Sequence, residues 1–164
     1  MPVTRSARAA TGRALVAVGT VALLAGCSLF GGGEDGEMVS VFELAPGDCV
    51  LSPSDVTIEL AELRRVDCET EHHMEVFARV VFPTDPDEDT PQFPGDAAMK
   101  AFADGACAEE FPGYVGVDLR DSALWTTFLA PSARSWSEGS DRTVTCFVTT
   151  TGEPLTGSVA GSKL

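Results

Sequence analysis

The chain has 164 residues, with 11 basic and 25 acidic side chains and a net charge of −14 at pH 7. A surface so acidic repels phosphate backbones and anionic lipid headgroups, which disfavours nucleic acid as a partner. The length suits one domain of ordinary size with a terminal appendage, not two domains.

The N-terminal stretch has a separate job. Arg5, Arg8 and Arg13 precede the apolar run Ala14–Leu24, and no acid occurs before Cys27. A run of 11 residues fits the apolar region of an export signal and is too short for a spanning helix, which needs about 20. Leu24-Ala25-Gly26-Cys27 closes that run with small residues and a cysteine. This pattern resembles the lipobox of bacterial lipoproteins. The resemblance implies cleavage before Cys27, a signal over residues 1–26 and diacylglycerol on the Cys27 thiol, with palmitate among its acyl chains. No twin-arginine pair precedes the run, so general secretion is the expected route. Removing residues 1–26 leaves 8 basic against 25 acidic residues, a net charge of −17. Residues 27–37 contain Gly31-Gly32-Gly33 and then Glu34, Asp35 and Glu37, with no apolar period. They read as a solvated tether to the domain at 38–161.

The domain opens with an expected strand around Val39 and Val41, followed by turn chemistry at Ala45-Pro46-Gly47-Asp48 and a short extended piece at Cys49–Leu51. From Val56 to Cys68 the sequence is ambiguous: its middle, Glu59–Leu63, admits a helix, and its end, Leu63–Cys68, reads as a strand leading to the second cysteine. Met74–Phe82 has high β-propensity and partial alternation and reads as a core strand. Residues 83–95 are rich in proline and acid and read as a surface loop. Asp96 is the expected N-cap of an amphipathic helix of three to four turns carrying Cys107 and ended by Pro112-Gly113. Strands are expected at Leu124–Leu129 and Arg142–Thr151, with a short helical turn reaching Trp136 between them. Leu155–Leu164 reads as an edge segment fraying into a tail, residues 162–164 above all. The expected class is α+β, a mostly antiparallel sheet with one main helix packed on it and two disulfides.

Setting Cys27 aside leaves Cys49, Cys68, Cys107 and Cys146, an even set in an oxidising compartment. Three pairings are open. Cys49–Cys68 with Cys107–Cys146 is preferred, because each pair lies within one half of the domain. No C-x-x-C occurs, so a thioredoxin-like role has no support.

His72-His73, with Glu69, Glu71 and Glu75 nearby, offers imidazole and carboxylate ligands. No H-E-x-x-H occurs, no third histidine completes a shell, and neighbouring strand residues point to opposite faces, so no metal is expected. Asp85, Asp87, Asp89 and Asp96 imitate an EF-hand spacing, but Thr90 stands where that loop needs glycine. Gly157-Ser158-Val159-Ala160-Gly161 is not a nucleophile elbow, since the serine comes one position early. Trp136 and Arg142 read as a packed or stacked pair, or as part of a partner-binding surface. The weak binding candidates are therefore His72, His73, Glu75, Trp136 and Arg142, and no residue is assigned to catalysis.

A set of pieces in order resembles a family of actinobacterial exported proteins described as septum-formation domains. They are Gly47-Asp48-Cys49, Val66-Asp67-Cys68, His72-His73, Glu75-Val76, Cys107, Tyr114-Val115-Gly116, Pro131, Trp136, Gly139, Asp141-Arg142, Cys146 and Leu155-Thr156-Gly157-Ser158. The resemblance implies an extracytoplasmic domain connected with division or the cell envelope and implies no defined catalysis. The expected function is a non-catalytic binding or scaffolding domain. It is held to the outer face of the cell membrane by lipid on Cys27, uses no cofactor, and has an envelope or division protein or a cell-wall component as partner. The alternative is a metal-dependent envelope enzyme, or a metal- or ligand-binding lipoprotein, using His72, His73 and nearby carboxylates.

Overall fold

The computed structural model describes residues 36–54, 59–85 and 91–164. The expected signal, Cys27, the tether up to residue 35 and the middle of the acidic loop, with Asp87 and Asp89, lie outside the described residues. No helix among the described residues is long and apolar enough to cross a membrane.

Six strands form one antiparallel sheet: β1 (Glu37–Ser40), β2 (Cys49–Val50), β3 (Glu62–Val66), β4 (Met74–Val81), β5 (Trp125–Leu129) and β6 (Thr143–Thr149). Their order across the sheet is β1-β3-β2-β4-β6-β5. The strand expected before Cys68 forms as β3, starting at Glu62 with Leu63 and Val66 buried, and residues 59–63 are not helical. Val144, Cys146 and Val148 of β6 face the long helix α1 (Asp96–Val115). Phe147 faces the other way, into a second cluster with Val39, Leu44, Val50, Leu63 and Val76, against which Leu129 of β5 packs. That cluster joins side chains from both edges of the sheet, so the sheet is curled toward the face away from α1.

One irregularity decides what each face carries. Val76 pairs with Phe147 and Ala78 with Cys146, which leaves Phe77 as an extra residue in β4. A bulge of this kind reverses the inside–outside phase of everything beyond it. Phe77 and Ala78 both join the helix-side core, and Arg79 is turned to the opposite, open face.

The helix is longer than expected. It spans 20 residues, about 30 Å, and passes through Pro112. Pro112 has no N–H to donate to the Ala108 carbonyl four residues back, so the helix forgoes that bond, and burial of Phe111 and Val115 on either side carries it through. Gly116, at φ 90°, stops the helix, and its N–H donates to the Pro112 carbonyl at 3.0 Å. Asp96 is not the N-cap. Gly95 occupies that position, and Asp96 lies in the first turn, where its charge complements the helix dipole. The buried stripe is Met99, Ala103, Cys107, Phe111 and Val115, at a strict spacing of four, while Ala97, Ala98 and Ala101 are exposed.

Among the described residues two disulfides form, one within each half of the domain. Cys49–Cys68 joins β2 to the turn after β3, with Cα atoms 5.2 Å apart. Cys107–Cys146 joins α1 to β6, with Cα atoms 5.6 Å apart. Both match the preferred pairing.

The C-terminal segment does not fray. The N–H groups of Gly161 and Lys163 donate to the carbonyls of Tyr114 and Val115 at 2.8 and 2.9 Å. These last-turn carbonyls have no donor within the helix, and the tail supplies one to each. Leu155 and Val159 are buried beneath it.

Candidate functional site

The two histidines part company at the entry to β4. His72 is fully buried and exchanges backbone hydrogen bonds with Leu155, at 3.0 and 2.8 Å. His73 is exposed, and its Nδ1 accepts from the Ser52 N–H at 2.9 Å. Adjacent residues in extended chain face opposite ways, so they do not converge on one ligand. The His72 Nδ1 lies 2.9 Å from the Thr70 carbonyl oxygen. A carbonyl only accepts, so Nδ1 carries the proton. Nε2 is buried with no hydrogen-bond partner among the described residues.

Glu75 is buried at the centre of the sheet, opposite Cys49 on β2 and Val148 on β6. Its Oε1 accepts from the Tyr114 hydroxyl at 2.5 Å and from the Ser158 hydroxyl at 2.6 Å. Its Oε2 accepts from the Val159 N–H at 2.8 Å. One carboxylate thus ties β4 to the end of α1 and to the C-terminal segment. Burial first, then the neighbouring Glu75 carboxylate, push the Tyr114 phenol well above its ordinary value.

Potential ligand atoms of Cys49, His72 and Glu75 lie within 4.8 Å of one another. The donor set does not fit a metal. The Cys49 sulfur is bonded to Cys68 and is no thiolate, and the Glu75 oxygens already accept three hydrogen bonds. One imidazole nitrogen does not make a shell.

Trp136 and Arg142 form a packed pair. Trp136 lies in the short helix α2 (Ala133–Glu138), is 3% exposed, and donates through Nε1 to the Pro91 carbonyl at 2.6 Å. The Arg142 guanidinium stacks 3.6 Å from the ring centroid, and its Nη1 donates to the carbonyls of Trp136 and Asp141. Phe82 and Phe93 meet the indole edge-on. The indole is therefore packed in the interior, and with Arg142, Gln92 and Phe93 it borders a cavity of about 470 Å³.

A larger open space lies across the sheet mouth. A groove of about 580 Å³ occupies the mouth of the curled sheet, between the Val41–Ala61 side and the segment Leu129–Thr145. The Glu59 carboxylate spans its mouth, accepting from the Ser132 hydroxyl at 2.8 Å and pairing with Arg134. Ser132 also caps α2 in a reciprocal capping box with Ser135, which fixes that rim. The floor includes Arg79, Thr143 and Thr145. Arg79 and the roles of Tyr114 and Ser158 are absent from the sequence-based reading. A signal for Arg79 was present in Phe77-Ala78, two successive apolar residues that break the alternation of β4 and mark the bulge.

No curated protein and no solved structure matches the chain. A family model described as septum formation matches residues 46–162, which takes in both disulfides, the Glu75 knot and most of the groove. The match covers more than two thirds of the chain, which belongs to the septum-formation family.

Proposed function

We propose that this protein is a lipid-anchored, extracytoplasmic binding or scaffolding domain of the cell envelope that performs no chemistry of its own. Family membership connects it with septum formation at the envelope. The lipobox at Leu24–Cys27 supports the anchor and the outer face of the membrane. The observation that carries the non-catalytic reading is how the reactive groups are used. Four cysteines are in disulfides, the Glu75 carboxylate is spent on three donors, and the two histidines face apart. Among the described residues the groove of about 580 Å³ is an accessible concave feature of the kind that binds ligands.

The test is cross-linking of the intact lipoprotein in envelope preparations, followed by capture. The expected result is a division or envelope protein, or a cell-wall fragment, recovered with the wild-type chain. It should be lost when the groove is blocked by Thr145→Trp. Recovery of nothing beyond what an acidic lipoprotein of unrelated sequence captures would overturn the reading.

A further inference from the structure

The bulge in β4 places an arginine where the rest of the molecule gives it nothing to do. The described residues include six arginines. Arg65, Arg120 and Arg134 have carboxylate partners, Arg142 stacks on Trp136, and Arg64 is engaged as well. Arg79 alone has no ion pair, ring contact or hydrogen bond among the described residues. Arg79 is exposed on this open face, so its guanidinium is free to meet a ligand in the groove.

The strand register sets what lies beside it. Arg79 is directly opposite Thr145 of β6, and Thr145 is directly opposite Leu129 of β5. A row of cation, hydroxyl and apolar side chain therefore crosses three strands, with neighbours spaced about 5 Å apart. Thr145 is 4% exposed, lines the groove and makes no side-chain hydrogen bond among the described residues. Beyond Leu129 the wall is apolar, formed by Val41, Phe42 and Leu60, and Phe42 is 55% exposed. The acids on the rim do not compete equally for Arg79. Glu59 is held by Ser132 and Arg134, and Asp141 accepts from the Ser135 hydroxyl and the Thr143 N–H; Glu138 lies at the edge.

We propose that the groove binds an amphiphile, an apolar chain carrying one carboxylate or phosphate head. Arg79 and Thr145 hold the head, and Leu129, Val41, Phe42 and Leu60 hold the chain. A guanidinium matches either head with paired N–H donors. A volume of about 580 Å³ lies in the range of small-ligand pockets, and the mouth of a curled sheet is a common place for one. This deepens the binding reading above without depending on the anchor.

The experiment uses the full chain in nanodiscs of uncharged lipid, with empty discs as the partition control. Octanoate, octyl phosphate and octylamine are titrated while the threonine methyl signals are followed by NMR. Saturable shifts of Thr143 and Thr145 are expected with at least one of the two anions, and the stronger of the two identifies the head. Octylamine should bind at least about tenfold more weakly. Arg79→Gln should weaken anion binding at least about tenfold, the scale of a lost charged hydrogen bond, and Arg79→Lys should restore part of it. Thr145→Val, isosteric and uncharged, provides a second variant with an intact core. Absence of shifts, equal binding of octylamine, or unchanged affinity in a folded Arg79→Gln protein would overturn the proposal. Failure of the envelope capture with octanoate binding intact would remove the scaffold reading and leave this site standing.

Discussion

Glu75 shows how one side chain can organise a domain without reacting with anything. Its three donors come from Tyr114, Ser158 and Val159, two of them more than 80 residues away in sequence. Removing the acceptor strands the Val159 N–H in the interior, so Glu75→Ala should cost about 3 kcal/mol in denaturant unfolding. Glu75→Gln should cost about 1 kcal/mol, because its amide oxygen can still serve Val159 while its NH2 faces hydroxyls able to accept. Tyr114 is the only tyrosine, so phenolate absorbance reports the same knot. Its pKa is raised above the ordinary 10.0, first by burial and then by Glu75. The folded state therefore keeps a proton that the unfolded chain has released. Stability should be unaffected by this group below pH 10 and should fall as pH rises above it, and in Glu75→Gln the phenol should titrate partway back toward 10. An ordinary phenol titration in the folded wild type would refute the assignment. The sequence presented Glu75 as a candidate beside two histidines. It could not show that two of its three donors lie in a C-terminal segment that reads as loose.

Among the elements, β4 and β6 share the longest ladder of the sheet, and Cys107–Cys146 fastens α1 to β6. Its bridge closes 39 residues, against 19 for Cys49–Cys68. On loop-closure entropy the two are worth about 4 and about 3 kcal/mol. The double variant Cys107→Ala/Cys146→Ala should therefore lose more stability than Cys49→Ala/Cys68→Ala in urea unfolding under non-reducing conditions. A reversed order would show that strain or cavity terms outweigh chain entropy. The helix was legible from its apolar residues and the pairing from their place in the chain. The helix end was not. Pro112-Gly113 looks like a stop, and the helix continues because Phe111 and Val115 are both buried on the sheet. Tail N–H groups then take up the carbonyls left over in the last turn.

At the scale of the whole molecule, the assignment of an anchored acidic domain depends on Cys27. In a bacterial host that processes lipoproteins, the wild-type chain should incorporate labelled palmitate and lose residues 1–26. Cys27→Ser should incorporate none and keep the signal, as read by intact mass. Labelling of the variant would sink the lipid assignment. The sequence by itself determined the α+β class, the preferred disulfide pairing and the family. Each of these lies in local periodicity, residue type or spacing, which survive without knowledge of the fold. Only the tertiary structure decided which polar groups are consumed and which remain open. A single bulge at Phe77 reverses the facing of Arg79, and contacts across 39 to 84 residues bury Glu75. Neither the phase of a bulged strand nor the donors of a buried carboxylate is fixed until distant segments meet.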